Sequence, residues 1–194
     1  IVMGMGEPLD NYEELLRFIK LVSCEKGIGI SQRNITVSTC GLVDKIRMLA
    51  DEKLQITLAI SLHAPNDEIR RQTMPIANRY TIGEIIQACK YYFDKTGRRI
   101  TFEYSMIRGV NDKEEHAKEL AGRLSGLNCH INLIPLNEVK ERNCYRSTKE
   151  DIEKFKSILE KYRKTVTIRR EMGSDIDAAC GQLRKKFLTK NGRN

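Results

Sequence analysis

The sequence holds six cysteines, Cys24, Cys40, Cys89, Cys129, Cys144 and Cys180, and no CxxC pair among them. That absence excludes a zinc site built from paired cysteines. A disulfide framework is excluded as well, because a chain of 194 residues buries a core large enough to hold itself together. The expected setting is therefore a reducing one, the cytosol. No apolar run approaches the length needed to cross a bilayer. Histidines are few, and His63, His116 and His130 are not placed at metal-ligand spacing. The start is abnormal too: Ile1-Val2-Met3-Gly4-Met5-Gly6 has no polar lead-in and no cap, and reads as the interior of a buried strand. The chain is accordingly expected to be the C-terminal part of a longer protein.

What is present in excess is positive charge. The formal net charge is +8, with basic clusters at Arg70-Arg71, Arg98-Arg99, Arg169-Arg170 and Arg184-Lys185-Lys186. Such an excess points to an anionic partner, nucleic acid first, without saying which nucleic acid or what is done to it. A solvated surface with a basic tail explains the charge equally well. No repeat or low-complexity linker divides the chain, which reads as one domain over residues 1–183 followed by a basic tail over 184–194.

Periodicity places a regular alternation along that domain. Asp10 with Glu13 offers a capping box for a helix whose apolar stripe is Tyr12, Leu15, Leu16, Ile19 and Val22. A β-branched strand follows at 34–39, a helix near 42–51 and a buried strand over 55–61. After a short helical piece near 67–74, Thr81 and Glu84 open a helix with Ile82, Ile85, Ile86, Cys89 and Phe93 on one face, and Gly97 stops it. Strands at 99–107, 130–136 and 165–170 then enclose helices capped by Asp112 with Glu115 and by Ser147 with Glu150. This alternation with short connections predicts βαβ units and a parallel sheet, rolled into a full or partial barrel or left open.

In such sheets the chemistry sits at the carboxyl ends of the strands. Those positions hold Gly6-Glu7-Pro8, Ser38-Thr39, Ser61-Leu62-His63, Asn111-Asp112, Asn137 and the loop around Cys180, mostly small and polar. Two glycines before Glu7 let the backbone approach a ligand, and a carboxylate on a strand tip accepts hydrogen bonds from a ligand ammonium. A tight turn into the next helix accounts for the same residues. Cys180 follows Ala178-Ala179 and precedes Gly181, with no large apolar residue before Ile176 in its segment. Small neighbours leave a thiol accessible, and an accessible thiol matters for its chemistry.

Taken in order, Gly-Glu-Pro-Leu-Asp-Asn at 6–11, Val-Ser-Thr at 37–39, Ile-Ser-Leu-His-Ala-Pro-Asn-Asp at 60–67, Phe-Glu-Tyr at 102–104, Gly-Val-Asn-Asp at 109–112, Asn-Leu-Ile-Pro-Leu-Asn at 132–137 and Gly-Ser-Asp-Ile-Asp-Ala-Ala-Cys-Gly-Gln-Leu at 173–183 form one pattern. It closely resembles the RlmN/Cfr family of radical S-adenosylmethionine (SAM) enzymes, which methylate adenosine in 23S (large-subunit) ribosomal RNA. The likeness is strongest to the RlmN branch, which modifies carbon 2 of adenine and also acts on certain transfer RNAs. It implies an α/β fold, a parallel-sheet partial (βα) barrel of radical-SAM type, here lacking its first strand and cluster-binding loop. By resemblance, Gly6 and Glu7 hold the methionine end of SAM, while Ser38, Ser61, Leu62, His63 and Asn137 make the remaining cofactor contacts. Cys180 matches the cysteine that is itself methylated and then carries the carbon to the base.

The chemistry suits such a carrier. An aromatic C–H carbon is a poor nucleophile, and a covalent intermediate divides one difficult step into easier ones. Reaching carbon 2 also requires a base turned out of its helix. One departure stands out: the family's four-iron–four-sulfur (4Fe-4S) cluster is bound by a CxxxCxxC motif, and none exists here. The implied assignment is a C-terminal fragment of an enzyme, inactive alone, whose cluster belongs to the full-length parent and whose partner is 23S rRNA and tRNA. Two alternatives stay open at this stage: a Cfr-type enzyme acting on carbon 8, and a non-catalytic basic RNA-binding module.

Overall fold

A computed structural model of the chain describes residues 1–3, 6–137 and 144–169. Cys180 and the basic tail over 184–194 lie outside the described residues. Five strands form one sheet in the order of the sequence: β1 (Thr36–Thr39), β2 (Thr57–Ser61), β3 (Ile100–Met106), β4 (Cys129–Pro135) and β5 (Thr165–Ile168). Every neighbouring pair is parallel. Val2 adds a parallel bridge to Val37 at the β1 edge. The α-helices are α1 (Tyr12–Ser23), α2 (Val43–Asp51), α3 (Asp67–Thr73), α4 (Ile82–Thr96), α5 (Glu114–Arg123) and α6 (Lys149–Lys161). Right-handed crossovers are the rule between parallel neighbours, and with strands in sequence order they place successive helices on one side of a sheet. The other side curls inward, which is the partial barrel that the strand–helix alternation predicts.

The two faces of the sheet are chemically different. Val37, Leu58, Ile60, Ile100, Phe102, Tyr104, Met106, Ile131 and Leu133 point to the helices and are all fully buried in one continuous core. Phe155 of α6 packs on Tyr104 with ring centroids 5.2 Å apart. Register puts the alternate residues on the concave face: Ser38 beside Ala59, Ala59 beside Thr101, Ser61 beside Glu103, Glu103 beside Asn132, and Asn132 beside Thr167. That second set is almost entirely small or polar. The apolar/polar period of 2 thus marks one face packed on the core and a second face of different chemistry.

Helix starts follow local chemistry, with shifts from the sequence expectation. Thr81 and Glu84 form the expected capping box of α4, and Gly97 ends that helix at φ 65°. The Asp10–Glu13 box does not form: Glu7 caps a 3-10 turn over Pro8–Asn11, and α1 begins directly behind it. Asp112 does not cap α5 either. Its carboxylate accepts the Gly109 N–H and the Ser147 hydroxyl, pinning a loop to the start of α6. The α6 cap is Thr148, paired with Asp151, one residue beyond the expected Ser147. On α4 the deeply buried aromatic is Tyr92, not Phe93, because the Tyr92 hydroxyl donates to the Ile56 carbonyl at 3.1 Å.

Cys89 sits in the core at 0% exposure, as its helical stripe requires, and burial pushes its thiol well above the ordinary range. Cys24, at the end of α1, is exposed. A thiol reagent under native conditions is therefore expected to modify Cys24 first and Cys89 only as the domain unfolds. Peptide mapping by mass spectrometry against time checks this; equal rates at the two positions would contradict the α4 packing.

Candidate functional site

The carboxyl ends of β1 and β2 are joined by one side chain. Arg70, from α3, is 0% exposed, and its guanidinium donates to Cys40 O at 2.7 Å, Leu62 O at 3.2 Å, Ser61 O at 3.4 Å and Tyr80 O at 3.5 Å. The planar fork of an arginine suits carbonyls arriving from several strands. Burial lowers its pKa, with the Asp67 carboxylate opposing. Composition alone had put Arg70 in a basic surface cluster. It is an internal strut, and nothing in the charge pattern separates it from exposed Arg71.

Glu7 extends this bracing to the chain's first segment. Its Oε2 accepts the Cys40 N–H at 2.7 Å and its Oε1 accepts the Leu9 N–H at 3.1 Å. Both oxygens keep a further lone pair, so the carboxylate is aimed as well as anchored. Cys40 is thereby gripped from both sides, by Glu7 at its N–H and by Arg70 at its carbonyl. Its thiol is pushed up to about 12 by burial and by the Glu7 carboxylate, which makes it inert. Gly6 has φ 152°, and a Cβ there would meet nothing within 4 Å. A shallow cavity of about 370 Å³ lies against Gly6 and Glu7, bordered by Val2, Met3 and Phe18. Of the candidate residues it touches only these two.

The segment after β2 is the most tightly determined. His63 adopts a left-handed backbone, φ 57°, uncommon for a residue with a Cβ. Its strain is held by three anchors. The Leu62 and His63 N–H groups both donate to Glu103 O, at 3.1 and 3.2 Å. The His63 carbonyl accepts from Asn111 Nδ2 at 2.8 Å, and its Nδ1 accepts the Ser105 N–H at 3.0 Å. Accepting at Nδ1 assigns the ring proton to Nε2. Burial and the Arg70 charge lower the His63 pKa to about 4, so the ring is a neutral N–H donor at neutral pH. Asn111, 0% exposed, also donates to Ser105 O and accepts from Ile107 N, both at 2.7 Å. It closes the loop after β3 around the histidine.

Glu7, Ser38, Ser61 and His63 thus come to one end of the sheet, and Asn137 follows β4 by two residues at that same end. Leu62 turns its side chain into the core at 0% exposure, its N–H donates to Glu103 O and its carbonyl accepts from Arg70, so it offers a ligand backbone and not side chain. The outward groups here are the Ser61 hydroxyl and His63 Nε2–H. Arg70, Asn111, Glu103 and Asn132 were not singled out from the sequence. For Glu103 and Asn132 a signal existed, the period of 2 that puts polar residues in register on β3 and β4. The polar concave face and the open backbone at Gly6 suit a small polar cofactor such as SAM. No group of three or more His, Cys, Asp or Glu side chains among the described residues is gathered to hold a metal ion.

Comparison with known proteins agrees with this architecture. Residues 1–121 match the model of the radical SAM superfamily. The chain is 61% identical over 188 residues to a probable dual-specificity RNA methyltransferase RlmN of Lachnospira eligens, covering 97% of this chain and 54% of that protein. It is 58% identical over 191 residues to the protein of the same name from Clostridium novyi, with 98% and 56% covered. The chain thus spans about half the length of these curated relatives. A crystal structure of a radical SAM methyltransferase from Sphaerobacter thermophilus superposes with TM-score 0.88 at 50% identity, over 93% of this chain and 53% of that one. A domain of a pyruvate-formate lyase-activating enzyme from Bacteroides vulgatus shares the fold at TM-score 0.65 and 20% identity, over 88% of this chain and 98% of that one.

Replacing Arg70 by Met leaves several buried carbonyls without a donor, each costing about 1–3 kcal/mol. Urea unfolding is expected to show a loss of at least roughly 3 kcal/mol; a loss near zero would mean the strut is idle. His63 gives a pH test. Its folded pKa, about 4, lies below the ordinary 6.5, so its contribution is present above 6.5 and is lost as pH falls toward 4. Asn tolerates the left-handed backbone without titrating. Between those pH values His63→Asn should therefore lose less stability than the parent chain, as read from thermal melts. Parallel losses would show that the histidine is not buried neutral.

Proposed function

This chain belongs to the radical SAM superfamily, and on that footing we propose that it forms the cofactor-holding portion of an RlmN-type methyltransferase acting on carbon 2 of adenine in 23S rRNA and tRNA. The observation that carries the reading is the high identity, across nearly the whole chain, to proteins named dual-specificity RNA methyltransferase RlmN. When bound, SAM supplies the methyl carbon and, with an iron–sulfur cluster, radical chemistry. The protein's part is positioning and charge. Gly6 lets the cofactor approach the backbone, and Glu7, aimed by the Cys40 and Leu9 N–H groups, accepts from its ammonium. Ser38, Ser61, neutral His63 and Asn137 offer hydrogen bonds at the strand ends. Cys180, outside the described residues, is the thiol that carries the carbon to the base.

The basic balance of the chain, +8, favours an RNA phosphate backbone as the partner surface. Nucleoside mass spectrometry of ribosomal and transfer RNA treated with the protein carrying this chain tests the proposal directly. Carbon-2 methyladenosine is expected. Carbon-8 product would move the chain to the Cfr type, and no methylation would leave an RNA-binding module. Cys180→Ala should still fold and bind SAM, because small neighbours imply little packing loss, yet yield no methylated adenosine. Product at the parent rate from that variant would remove the carrier role.

A further inference from the structure

Among the described residues, Glu103 is a concave-face carboxylate to which the proposed function gives no task. It is 9% exposed, and its Oε2 accepts from Asn132 Nδ2 at 2.9 Å. Its Oε1 has no hydrogen-bond partner among the described residues. Asn132 is oriented in turn, its Oδ1 accepting the Thr167 hydroxyl at 3.2 Å, and Thr167 meets His130 Nε2 at 2.9 Å. A chain of side chains from β5 through β4 therefore holds one carboxylate of β3 in a fixed direction. Burial is the largest cause raising the Glu103 pKa, against the Asn132 amide and the Arg169 charge. The second oxygen is thus free to accept from a ligand lying on this face.

Position indicates what donates. Ser61 and Glu103 are register partners, so a ligand lying on Ser61 lies on Glu103. The Glu7 carboxylate sits on the Cys40 N–H at the end of β1, and β3 lies two strands further along the sheet, roughly 10 Å at the ordinary strand spacing. An ammonium held at Glu7 therefore leaves the other end of the same molecule, its nucleoside, facing Glu103. We propose that Glu103, oriented by Asn132, accepts the ribose hydroxyl hydrogens of the bound cofactor, making the β3–β4 row the nucleoside side of the site. A carboxylate is the natural partner of neighbouring hydroxyls, since it accepts from both and donates to neither. This inference rests on the cofactor reading of the strand ends, not on which RNA is modified.

The test is a binding cycle in the protein carrying this chain, read by calorimetry without RNA. The probes are SAM, 5′-methylthioadenosine, which keeps the nucleoside and lacks the amino acid, and the 2′-deoxy and 3′-deoxy forms of methylthioadenosine. Glu103→Gln is expected to weaken SAM and methylthioadenosine at least tenfold. At least one deoxy probe should bind the parent protein about that much more weakly and lose little further in the variant. Asn132→Ala should weaken binding less, since it frees the carboxylate without removing it. If Glu103→Gln does not fold, Glu103→Asp, which retracts the charge by one methylene, carries the same expectation. Affinities within twofold of the parent, or losses that simply add, would overturn the contact. So would a loss confined to RNA affinity. Absence of carbon-2 methylation would count against the proposed function alone and leave this cycle readable.

Discussion

The arrangement of strand ends depends on one buried cation. A sheet's carbonyls are paired along its length and run out of partners where the strands stop. At the carboxyl ends of β1 and β2 those carbonyls converge, and Arg70 supplies the donors. Carbonyl oxygens rather than a carboxylate surround it, so the charge is solvated by dipoles instead of being neutralised. Gly41 is part of the same solution. Its φ is 101°, and a Cβ there would come within 2.9 Å of Ile85 Cδ1 and 3.5 Å of Arg70 Nη2. Only glycine lets the loop after β1 pass this close to α4 and the guanidinium.

From that strut the candidate site extends in two directions. Toward the first segment, Glu7 links its loop to Cys40, and so to the same arginine. Toward the open sheet, the turn after β2 is set by Glu103 O, Asn111 and Ser105, which keep His63 in a left-handed conformation. Strain of this kind persists where surroundings over-determine it, and it concentrates where side chains must be aimed. The consequence for function is a rim of preoriented groups above a concave polar face, with little rearrangement needed to receive a ligand.

Much of the fold was legible in the sequence because periodicity reports burial. The α4 stripe with its capping box, the β-branched strands and the alternation of elements all survive in the structure. What failed was local: Asp10, Asp112 and Ser147 are plausible caps, yet each has a neighbour that does the capping or a distant partner that takes its side chain. That Glu7, Ser38, Ser61 and His63 lie at one end of the sheet was legible because polar residues at strand ends are unusual. Leu62 stands between two of them, and the period of 2 that turns its side chain into the core leaves only its backbone at that end. Glu103 was quoted in a motif without a role, since its meaning lies in what stands beside it on β2 and β4.

By itself, then, the sequence determined the elements, their parallel order and the family, because these follow from hydrophobic period, turn chemistry and a long ordered set of motifs. Tertiary structure alone decided which charges are inside. Arg70 and Arg71 are identical in composition and adjacent in the chain, but only one turns into the junction of two strands. Glu103 and Asn132 are 29 residues apart, and register makes them neighbours. The sign of a charge is written in the chain, whereas its solvation depends on long-range contacts, and solvation settles whether it attracts a partner, braces the fold or waits for a ligand.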